Sequence, residues 1–349
     1  MSRRNLLLAT TTSVVSKKNY NYMTIYALED GLQAKLSGNT ISYSLDEGNT
    51  WTSLASSTYT ASVNSGQTIM FKGNLTPKSS TGIGRFTINK KCNLAGNCMS
   101  LLFGDNAMNN YSLSGKTYAF YELFSGCTTI IQVSDTFLPA TTLAERCYYY
   151  MFRDCTSLTV APDLPATTLA EDCYYSMFNS CTSLTSTPEL PATTLASNCY
   201  SSMFNGCSGL TSASELPATT LARSCYNNMF SGCCGLTTVP SILPATTLDR
   251  SCYYSMFYGC TSLTTAPELP ATTLAQECYR YMFYGCSKLN YIKMLATDNS
   301  GPFCLNNWVY GVSSAGTFVK NPAMTSLPTG TSGVPNGWTV VDDTEGAVA

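Results

Sequence analysis

The stretch that decides the fold is residues 147–155, CYYYMFRDC, because five near copies of it follow along the chain. The copies are CYYSMFNSC at 173–181, CYSSMFNGC at 199–207, CYNNMFSGC at 225–233, CYYSMFYGC at 252–260 and CYRYMFYGC at 278–286. Successive copies begin 26 or 27 residues apart, in a chain of 349 residues with 17 cysteines and no histidine. A fixed period of this length is typical of a protein whose repeat units stack on one another.

Each repeat continues after its second cysteine with the same proline-containing pattern. The full unit reads C-Y-x-x-M-F-x-x-C-x-x-L-T-x-x-P-x-L-P-A-T-T-L-A, and the single longer step comes from an extra residue in TVPSILPA. Degenerate copies flank the six, namely CMSLLFGDN at 98–106, AFYELFSGC at 119–127 and CLNNWVYGV at 304–312. About nine turns therefore stack over residues 96–312, and atypical outer turns are what the ends of an array require.

Two kinds of local structure are predicted within a unit. Cys147, Met151 and Cys155 lie four residues apart, a spacing typical of one stripe of an α-helix. The following stretch at 157–165, SLTVAPDLP, is predicted to be extended, because its prolines disfavour a helix. One short helix and one short strand per unit predict an α/β solenoid with a parallel sheet on one face.

The repeat resembles the BspA-type leucine-rich repeat. The resemblance rests on the run F-x-x-C-x-x-L-x-x-A-P-x-L-P at residues 152–165. The variant LPATTLAxxCYxxMFxGCTSLT is also similar to repeats in proteins of gut Bacteroidales and of their phages. The match covers residues 98–312 and implies a leucine-rich-repeat-like solenoid. Units here are longer than that family's roughly 23 residues, and Cys-Tyr-x-x-Met-Phe replaces its Ala-Phe. The partner is not implied, because repeat families change their ligands on one core pattern.

Residues 20–95 lack the repeat and are predicted to form a small antiparallel β-domain, a sandwich-like cap on the first turn. Alternation in TISYSLDEGNTWTSL indicates a hairpin that turns at residues 46–49, and GQTIMFKGN and GIGRFTINK predict two further strands. The stretch SLDEGNTW also fits the Asp-box of sialidase-like propellers, in which an aspartate closes a hairpin turn beneath a tryptophan. A single copy indicates a turn and not a glycosidase.

The composition of the chain and the sequences of its two ends limit the partners and the locations that are expected. Charged residues make up 11% of the chain and the formal net charge is -2, so no basic surface for nucleic acid is expected. No apolar run reaches the roughly 18 residues that span a bilayer, so no membrane insertion is expected. The start, MSRRNLLLATTTS, begins like a signal peptide, but threonines interrupt its apolar run. Residues 1–19 are therefore predicted to be a flexible or anchoring arm, and residues 313–349 a C-terminal cap and tail.

The paired cysteines have three candidate roles, as metal ligands, as disulfides or as buried packing. Eight helical residues would separate two thiols by about 12 Å, too far for a zinc site or a disulfide within one pair. Disulfides between neighbouring turns stay open, although 17 is an odd number. Packing is favoured, because a free cysteine behaves as a small apolar side chain. The predicted structural core comprises Cys147, Cys155, Cys173, Cys181, Cys199, Cys207, Cys225, Cys233, Cys252, Cys260, Cys278 and Cys286.

Two sets of outward residues are candidates for ligand contact. One set recurs one repeat apart, with Ser241 in the fourth place: Asp163, Glu189, Glu215 and Glu268. This acidic column is either a solvated rim near strand ends or a stripe that contacts a cation or ligand. The tyrosine after each first cysteine is predicted to be half-buried packing. Variable tyrosines supply amphipathic contact area at low entropic cost, and these are Tyr149, Tyr175, Tyr254, Tyr258 and Tyr284.

No catalytic constellation is found in the sequence, so we expect no enzyme and no cofactor. A Ser-His or Cys-His pair cannot form without histidine, and no glycine-rich phosphate loop is present. The predicted function is recognition or adhesion, with a protein or glycan on a bacterial host surface as partner. The predicted location is the surface of a phage virion, as a fibre component that can be oligomeric. The alternatives are a cell-surface or secreted bacterial leucine-rich-repeat adhesin, or a structural spacer in a virion.

Overall fold

The computed structural model describes residues 21–344. The predicted arm at residues 1–19 and the last five residues of the predicted C-terminal tail lie outside the described residues. Within residues 21–344 no helix is long and apolar enough to cross a membrane. The domain boundaries stay predictions.

Small sheets make up the part of the chain before the repeats and take in one strand, β8, from within them. The strands are β1 (Met23–Ala27), β2 (Ala34–Leu36), β3 (Ile41–Ser44), β4 (Thr52–Leu54), β5 (Thr68–Lys72), β6 (Phe86–Ile88), β7 (Cys92–Ala95) and β8 (Ile130–Val133). One sheet has the order β4-β3-β5-β1-β7-β8 and is antiparallel except between β7 and β8, and β2 pairs with β6 antiparallel. Because β8 follows the degenerate repeat at 119–127, this sheet continues into the repeats without a break.

The predicted hairpin turn joins β3 to β4. The Asp46 carboxylate accepts hydrogen bonds from the Thr50 backbone N–H at 2.9 Å and the Thr50 hydroxyl at 2.7 Å. The Trp51 indole N–H donates to the Gly48 carbonyl at 3.0 Å. The bonds from Thr50, and another from Ser44, lower the pKa of Asp46 to about 2. The Asp-box pattern is therefore a turn closed by its aspartate and braced by its tryptophan.

The nine-residue cysteine segments are series of β-turns, so the predicted helix was wrong. Within residues 21–344 the only α-helix is α1 (Ser100–Phe103), and two 3₁₀ helices lie at Gly104–Asn109 and Asp135–Phe137. In the segment at 147–155, the Met151 N–H donates to the Tyr148 carbonyl at 3.2 Å, three residues back. The same three-residue bond recurs at every second residue of the segment. The α/β description therefore does not hold for the repeats.

Residues between those turn bonds join one unit to the next. The Tyr148 N–H donates to the Cys173 carbonyl at 3.0 Å, and the Phe152 N–H donates to the Met177 carbonyl at 2.9 Å. Backbone N–H groups thus alternate between a bond within their own unit and a bond to the following unit. This alternation satisfies the buried backbone donors of the segment without a helix.

A four-residue conformational period explains why the segment resembles a helix in sequence. Arg146, Tyr150 and Asp154 have φ angles of +54°, +58° and +58°, and the same three places are left-handed in the units that follow. Each turn therefore closes in four residues and returns two side chains to the core. Apolar residues then recur at i and i+4, the same spacing that one helical stripe produces.

Parallel pairing between units exists but is short. The proline-containing parts pair through isolated bridges such as Ser186 with Ser212 and Ser212 with Thr238. A continuous parallel sheet forms at the C-terminal end, in the order β11-β10-β9, from β9 (Tyr291–Met294), β10 (Thr317–Lys320) and β11 (Thr339–Asp342). Prolines interrupt the ladder in the middle units because they lack an N–H donor. The predicted sheet along one face is thus reduced there to single bridges.

The core consists of columns of identical side chains, which confirms the 26-residue period of buried cysteine and aromatic residues. Phe178 stacks on Phe152 and on Phe204 with ring centroids 5.6 Å apart in both cases. Tyr174 and Tyr200 stack at 5.7 Å and are each 1% exposed, so this tyrosine column is fully buried and not half-buried as predicted. Each ring therefore packs against copies of itself above and below.

Candidate functional site

The outward side of the cysteine segments is where the repeats differ from one another. We number each segment from 1 at its first cysteine to 9 at its second. Positions 1, 2, 5, 6 and 9 point into the core in all six copies. We call positions 3, 4, 7 and 8 the turn face; they carry Tyr, Asn, Ser, Arg, Asp or Gly and are mostly half-buried. Repeated turns thus present two variable pairs of side chains per unit on one surface.

Stacked tyrosines occupy the N-terminal part of the turn face. Tyr149 stacks on Tyr175 with ring centroids 4.6 Å apart, and on Tyr121 of the preceding unit at 5.5 Å. Tyr150 meets the edge of Tyr149 at 4.3 Å. The Arg153 guanidinium lies 5.0 Å from the centroid of the Tyr150 ring, within cation–π range. Tyr149 and Tyr175, both predicted contact residues, therefore belong to one aromatic cluster.

A second tyrosine cluster occupies the C-terminal part of the turn face. Tyr258 stacks on Tyr284 at 4.8 Å, and Tyr284 stacks on Tyr310 at 4.6 Å. Tyr254 packs against Tyr281 at 5.7 Å in an edge arrangement. Among these, Tyr258 and Tyr310 are exposed and the others are half-buried. The structure thus brings the predicted Tyr254, Tyr258 and Tyr284 together with two tyrosines that the sequence analysis did not select.

Most phenols on the turn face whose pKa is shifted stay protonated to higher pH than usual. Burial raises the pKa of Tyr149, Tyr175 and Tyr254 above its ordinary value. Tyr281 is the exception, because a hydrogen bond from the Arg280 guanidinium at 3.3 Å lowers its pKa. At neutral pH these tyrosines therefore offer hydroxyl groups and ring surface, without negative charge.

Small polar residues occupy the turn face between the two tyrosine clusters. The segments at 199–207 and 225–233 have no tyrosine at positions 3, 4, 7 and 8; they carry Ser201, Ser202, Asn205, Gly206, Asn227, Asn228, Ser231 and Gly232. Two adjacent depressions of about 450 and 580 Å³ meet in this region, where Asn228 lines both; the first extends over the segments at 147–155 and 173–181, and the second over those at 252–260 and 278–286. The turn face therefore has aromatic ends and a polar middle.

A third depression, of about 550 Å³, lies where the N-terminal strands meet the first repeats. Its lining includes Lys78, Arg85, Tyr121 and Glu122, and Arg85 is ion-paired with Glu122. Tyr121 also belongs to the N-terminal tyrosine cluster, so this depression adjoins the turn face. This depression could not be predicted from the sequence, because its walls come from parts of the chain that are distant in sequence.

The predicted acidic column lies on the proline-containing parts and not on the turn face. Asp163, Glu189 and Glu215 are exposed, whereas Glu268 is half-buried and ion-paired with Lys293 at 3.5 Å. Residues 21–344 contain no group of three or more His, Cys, Asp or Glu side chains that could hold a metal ion. The column and the tyrosines therefore form separate surfaces, and whether either binds a ligand stays a prediction.

One member of that column was placed wrongly. Ser241 was predicted in the fourth place, but the residue that pairs with Glu268 in parallel register is Ile242. The extra residue of the longer unit precedes this position, because the backbone realigns at the Leu-Pro that follows. The column therefore has an apolar side chain in its fourth place.

All twelve cysteines of the predicted structural core are buried, and all seventeen cysteines of the chain are free. The second cysteine of a segment donates its S–H to the phenylalanine carbonyl of the preceding unit, as Cys181 does to Phe152 at 3.1 Å and Cys207 to Phe178 at 3.1 Å. This bond favours cysteine over alanine at position 9, a preference that apolar packing alone does not explain. A separation of about 12 Å between the paired thiols holds for a helix and does not apply to these turns.

Burial also makes these thiols poor nucleophiles. It raises the pKa of Cys199 and Cys207 from 9.0 to about 12, so both are neutral at physiological pH. Cys234 is the one exposed cysteine.

Comparisons with known proteins give similarity of structure alone. No protein-family model matches the chain, and no curated protein matches it. A leucine-rich repeat protein from Bacteroides ovatus ATCC 8483 is similar at 14% identity and a TM-score of 0.26, over 76% of this chain and 87% of that chain. The T. pallidum leucine-rich repeat protein TpLRR is similar at 15% identity and a TM-score of 0.25, over 67% of this chain and 78% of that chain. The BspA-type subdivision and a phage origin stay predictions.

Proposed function

We propose that this protein is a non-enzymatic recognition protein that binds a macromolecular partner through its turn face. The observation that carries the proposal is the pair of stacked tyrosine clusters on that face, with a polar region between them. Tyrosine offers rigid, amphipathic contact area with few torsions to immobilise, and asparagine and serine add adaptable hydrogen bonding. The same three residue types predominate on the turn face.

The backbone beneath the turn face supports this role. Each segment is bonded to its neighbours through alternate N–H groups, and its inner side chains are buried in the stacked columns. A partner therefore meets side chains whose backbone is already fixed, which lowers the entropic cost of binding. Outer residues can change from unit to unit without disturbing the columns that hold the fold.

The setting that we propose is a leucine-rich-repeat adhesin on a bacterial cell surface or secreted from the cell. The repeat pattern resembles such proteins, and a long surface built from stacked solenoid units suits extended contact. The virion fibre remains the competing setting, since the repeat also resembles repeats of phage proteins, but no structural feature of residues 21–344 favours it over the adhesin. A spacer would need no tyrosine clusters on its surface.

Flow cytometry with the labelled full-length protein on panels of bacterial and epithelial cells tests the proposal. One variant combines Tyr149→Ser, Tyr175→Ser, Tyr254→Asn and Tyr258→Ser, which are the residues that the middle units already carry at positions 3 and 7. We expect cell binding to fall at least tenfold with an unchanged melting temperature.

A matched variant, Glu189→Ala with Glu215→Ala, alters the acidic column instead. We expect it to bind as the unaltered protein does. Loss of binding only in this second variant would move the site to the proline-containing parts. Absence of binding to every cell type would favour the spacer and overturn the proposal.

A further inference from the structure

The polar middle of the turn face is a trough with tyrosine walls. We define the trough as positions 3, 4, 7 and 8 of the segments at 199–207 and 225–233. Three repeat steps separate the walls, and the buried tyrosine column beneath measures them as 5.7, 5.8 and 5.6 Å. The trough is therefore long enough for several linked rings or residues and too long for one small molecule to fill.

The floor of the trough offers hydrogen-bonding groups that the protein itself does not use. The side chains of Ser202, Asn205 and Ser231 make no hydrogen bond to any residue in the described part of the chain. Asn228, which lines both depressions, donates one amide hydrogen to the Asn227 side chain. An asparagine amide has two donors and a carbonyl acceptor, so capacity to bind a ligand remains.

Each wall ends in a tyrosine ring that is covered on one side only. Tyr258 stacks on Tyr284 at 4.8 Å, while the next unit on its other side carries Ser231 at the same position. Tyr175 likewise stacks on Tyr149 at 4.6 Å, and the unit on its other side carries Ser201. No aromatic side chain therefore covers the trough side of either ring.

The trough is also uncharged. Its eight residues include no Lys, Arg, Asp or Glu. Arg153 and Asp154 line the far end of one of the two depressions, two repeats from the segment at 199–207, and are ion-paired with each other at a nitrogen–oxygen distance of 3.1 Å. An acidic ligand would find no cation in the trough, and an apolar peptide side chain would find no apolar floor.

We infer that the trough binds a neutral oligosaccharide. Sugar hydroxyls both donate and accept hydrogen bonds, as the serine hydroxyls and asparagine amides of the floor do. The C–H faces of sugar rings suit the uncovered tyrosine rings at the two ends, where one side of the ligand is apolar and the other is wet. This inference rests on the proposed function and names the ligand class that the turn face recognises.

An array of neutral, sialylated and sulfated oligosaccharides tests the ligand class directly, with peptides printed on the same surface. We expect the full-length protein to bind neutral oligosaccharides, with affinity that increases from monosaccharides to oligosaccharides. Binding confined to acidic glycans or to peptides would overturn the inference.

Filling the trough tests its position. Ser231→Tyr places there the residue that the next two units carry at position 7, Tyr258 and Tyr284, so the fold already accepts it. We expect at least a tenfold loss of affinity for the neutral oligosaccharide by calorimetry, with the melting temperature unchanged. Ser241→Tyr, an identical change at an exposed position on the proline-containing part, should leave the affinity unchanged.

The two proposals fail in different ways. If no glycan binds but cell binding still depends on the tyrosines of the turn face, this inference is wrong and the proposed function stands. If Ser231→Tyr binds the oligosaccharide as tightly as the unaltered protein does, the trough is not the site. If neither cells nor glycans bind, both proposals fail.

Discussion

The inner and outer sides of the same nine-residue segment follow opposite rules. The segments at 173–181 and 225–233 have identical residues at positions 1, 2, 5, 6 and 9, yet differ at all four positions of the turn face. Their inner side chains are at most 1% exposed. An inner residue packs against its own copies in the neighbouring units, so one change affects three units. An outer residue contacts the neighbouring segments less and can differ from its copies.

The difference between the two sides indicates that the inner side chains contribute most of the free energy of folding. Buried rings and thiols are close-packed, so a change of volume or charge there is costly. Side chains of the turn face are partly solvated, and substitutions at such positions usually change stability by less than about 0.5 kcal/mol. Binding specificity can therefore vary on the outside without loss of the fold.

Alkaline pH should lower the stability of the fold more than any single substitution, because it ionises many buried side chains together. Burial raises the pKa of Cys199, Cys207 and Cys252 from 9.0 to about 12. Thiols of the unfolded chain ionise from pH 9 while these stay protonated, so stability is complete below pH 9 and decreases toward pH 12. Each such thiol costs about 1.4 kcal/mol per pH unit. Urea midpoints measured from pH 7 to 10.5 should stay level and then fall steeply above pH 9. A midpoint unchanged up to pH 10.5 would contradict the burial of the columns.

Removal of one inner ring is the next largest change. Phe204 is 0% exposed and stacks on Phe178 and Phe230 at 5.6 and 5.7 Å. Phe204→Ala should lower the free energy of unfolding by about 3–5 kcal/mol, because it leaves a cavity in the column. The neighbouring outer substitution, Asn205→Ala, should lower it by less than about 0.5 kcal/mol. Urea denaturation of both variants gives the comparison, and equal losses would abolish the distinction between the two sides.

The backbone conformation also limits which residues fit at some positions of the turn face. Ser202, at position 4, has a φ of +54°, where a β-branched residue is strained. Ser202→Val should therefore cost about 1–2 kcal/mol. Ser231→Val places the same residue at position 7, which is not left-handed, and should cost less than about 0.5 kcal/mol. Thermal denaturation distinguishes them, and a Ser231→Val loss as large as that of Ser202→Val would show that φ is not the cause.

The smallest predicted difference in stability is between alanine substitutions in the two cysteine columns, at position 9 and at position 1. The Cys207 S–H donates to the Phe178 carbonyl at 3.1 Å, whereas Cys199, at position 1, has no such bond in the described residues. Cys207→Ala should cost about 1 kcal/mol more than Cys199→Ala, the net value of one hydrogen bond. Urea denaturation of the two variants measures the difference, and the opposite order would show that packing alone selects cysteine at position 9.

The repeat and its buried columns could be predicted from the sequence because identical residues recur at a fixed distance. The local conformation could not, since turns that close every four residues place Cys147, Met151 and Cys155 on one side just as a helix does. A signal was present: Asp or Gly occupies position 8 in five of the six segments, and these residues tolerate left-handed φ. A helix would not favour them there.

Prediction of the candidate site was limited in the same way. Position 3 and position 7 tyrosines such as Tyr149 and Tyr258 were selected because they vary between units. Tyr150 and Tyr281, at position 4, were not selected, although position 4 also varies between units. The trough was missed for another reason: it is defined by the absence of tyrosine from two units, and only the structure shows that tyrosine rings face it from the units on both sides.

Counting accessible thiols tests the central claim most directly, that the cysteines are free, neutral side chains buried in stacked columns. Without reductant at pH 8, the native protein should expose one rapidly reacting thiol, that of Cys234, because the other sixteen are buried. After denaturation in urea, still without reductant, all 17 thiols should react. Many reactive thiols in the native state, or clearly fewer than 17 after denaturation, would contradict the account.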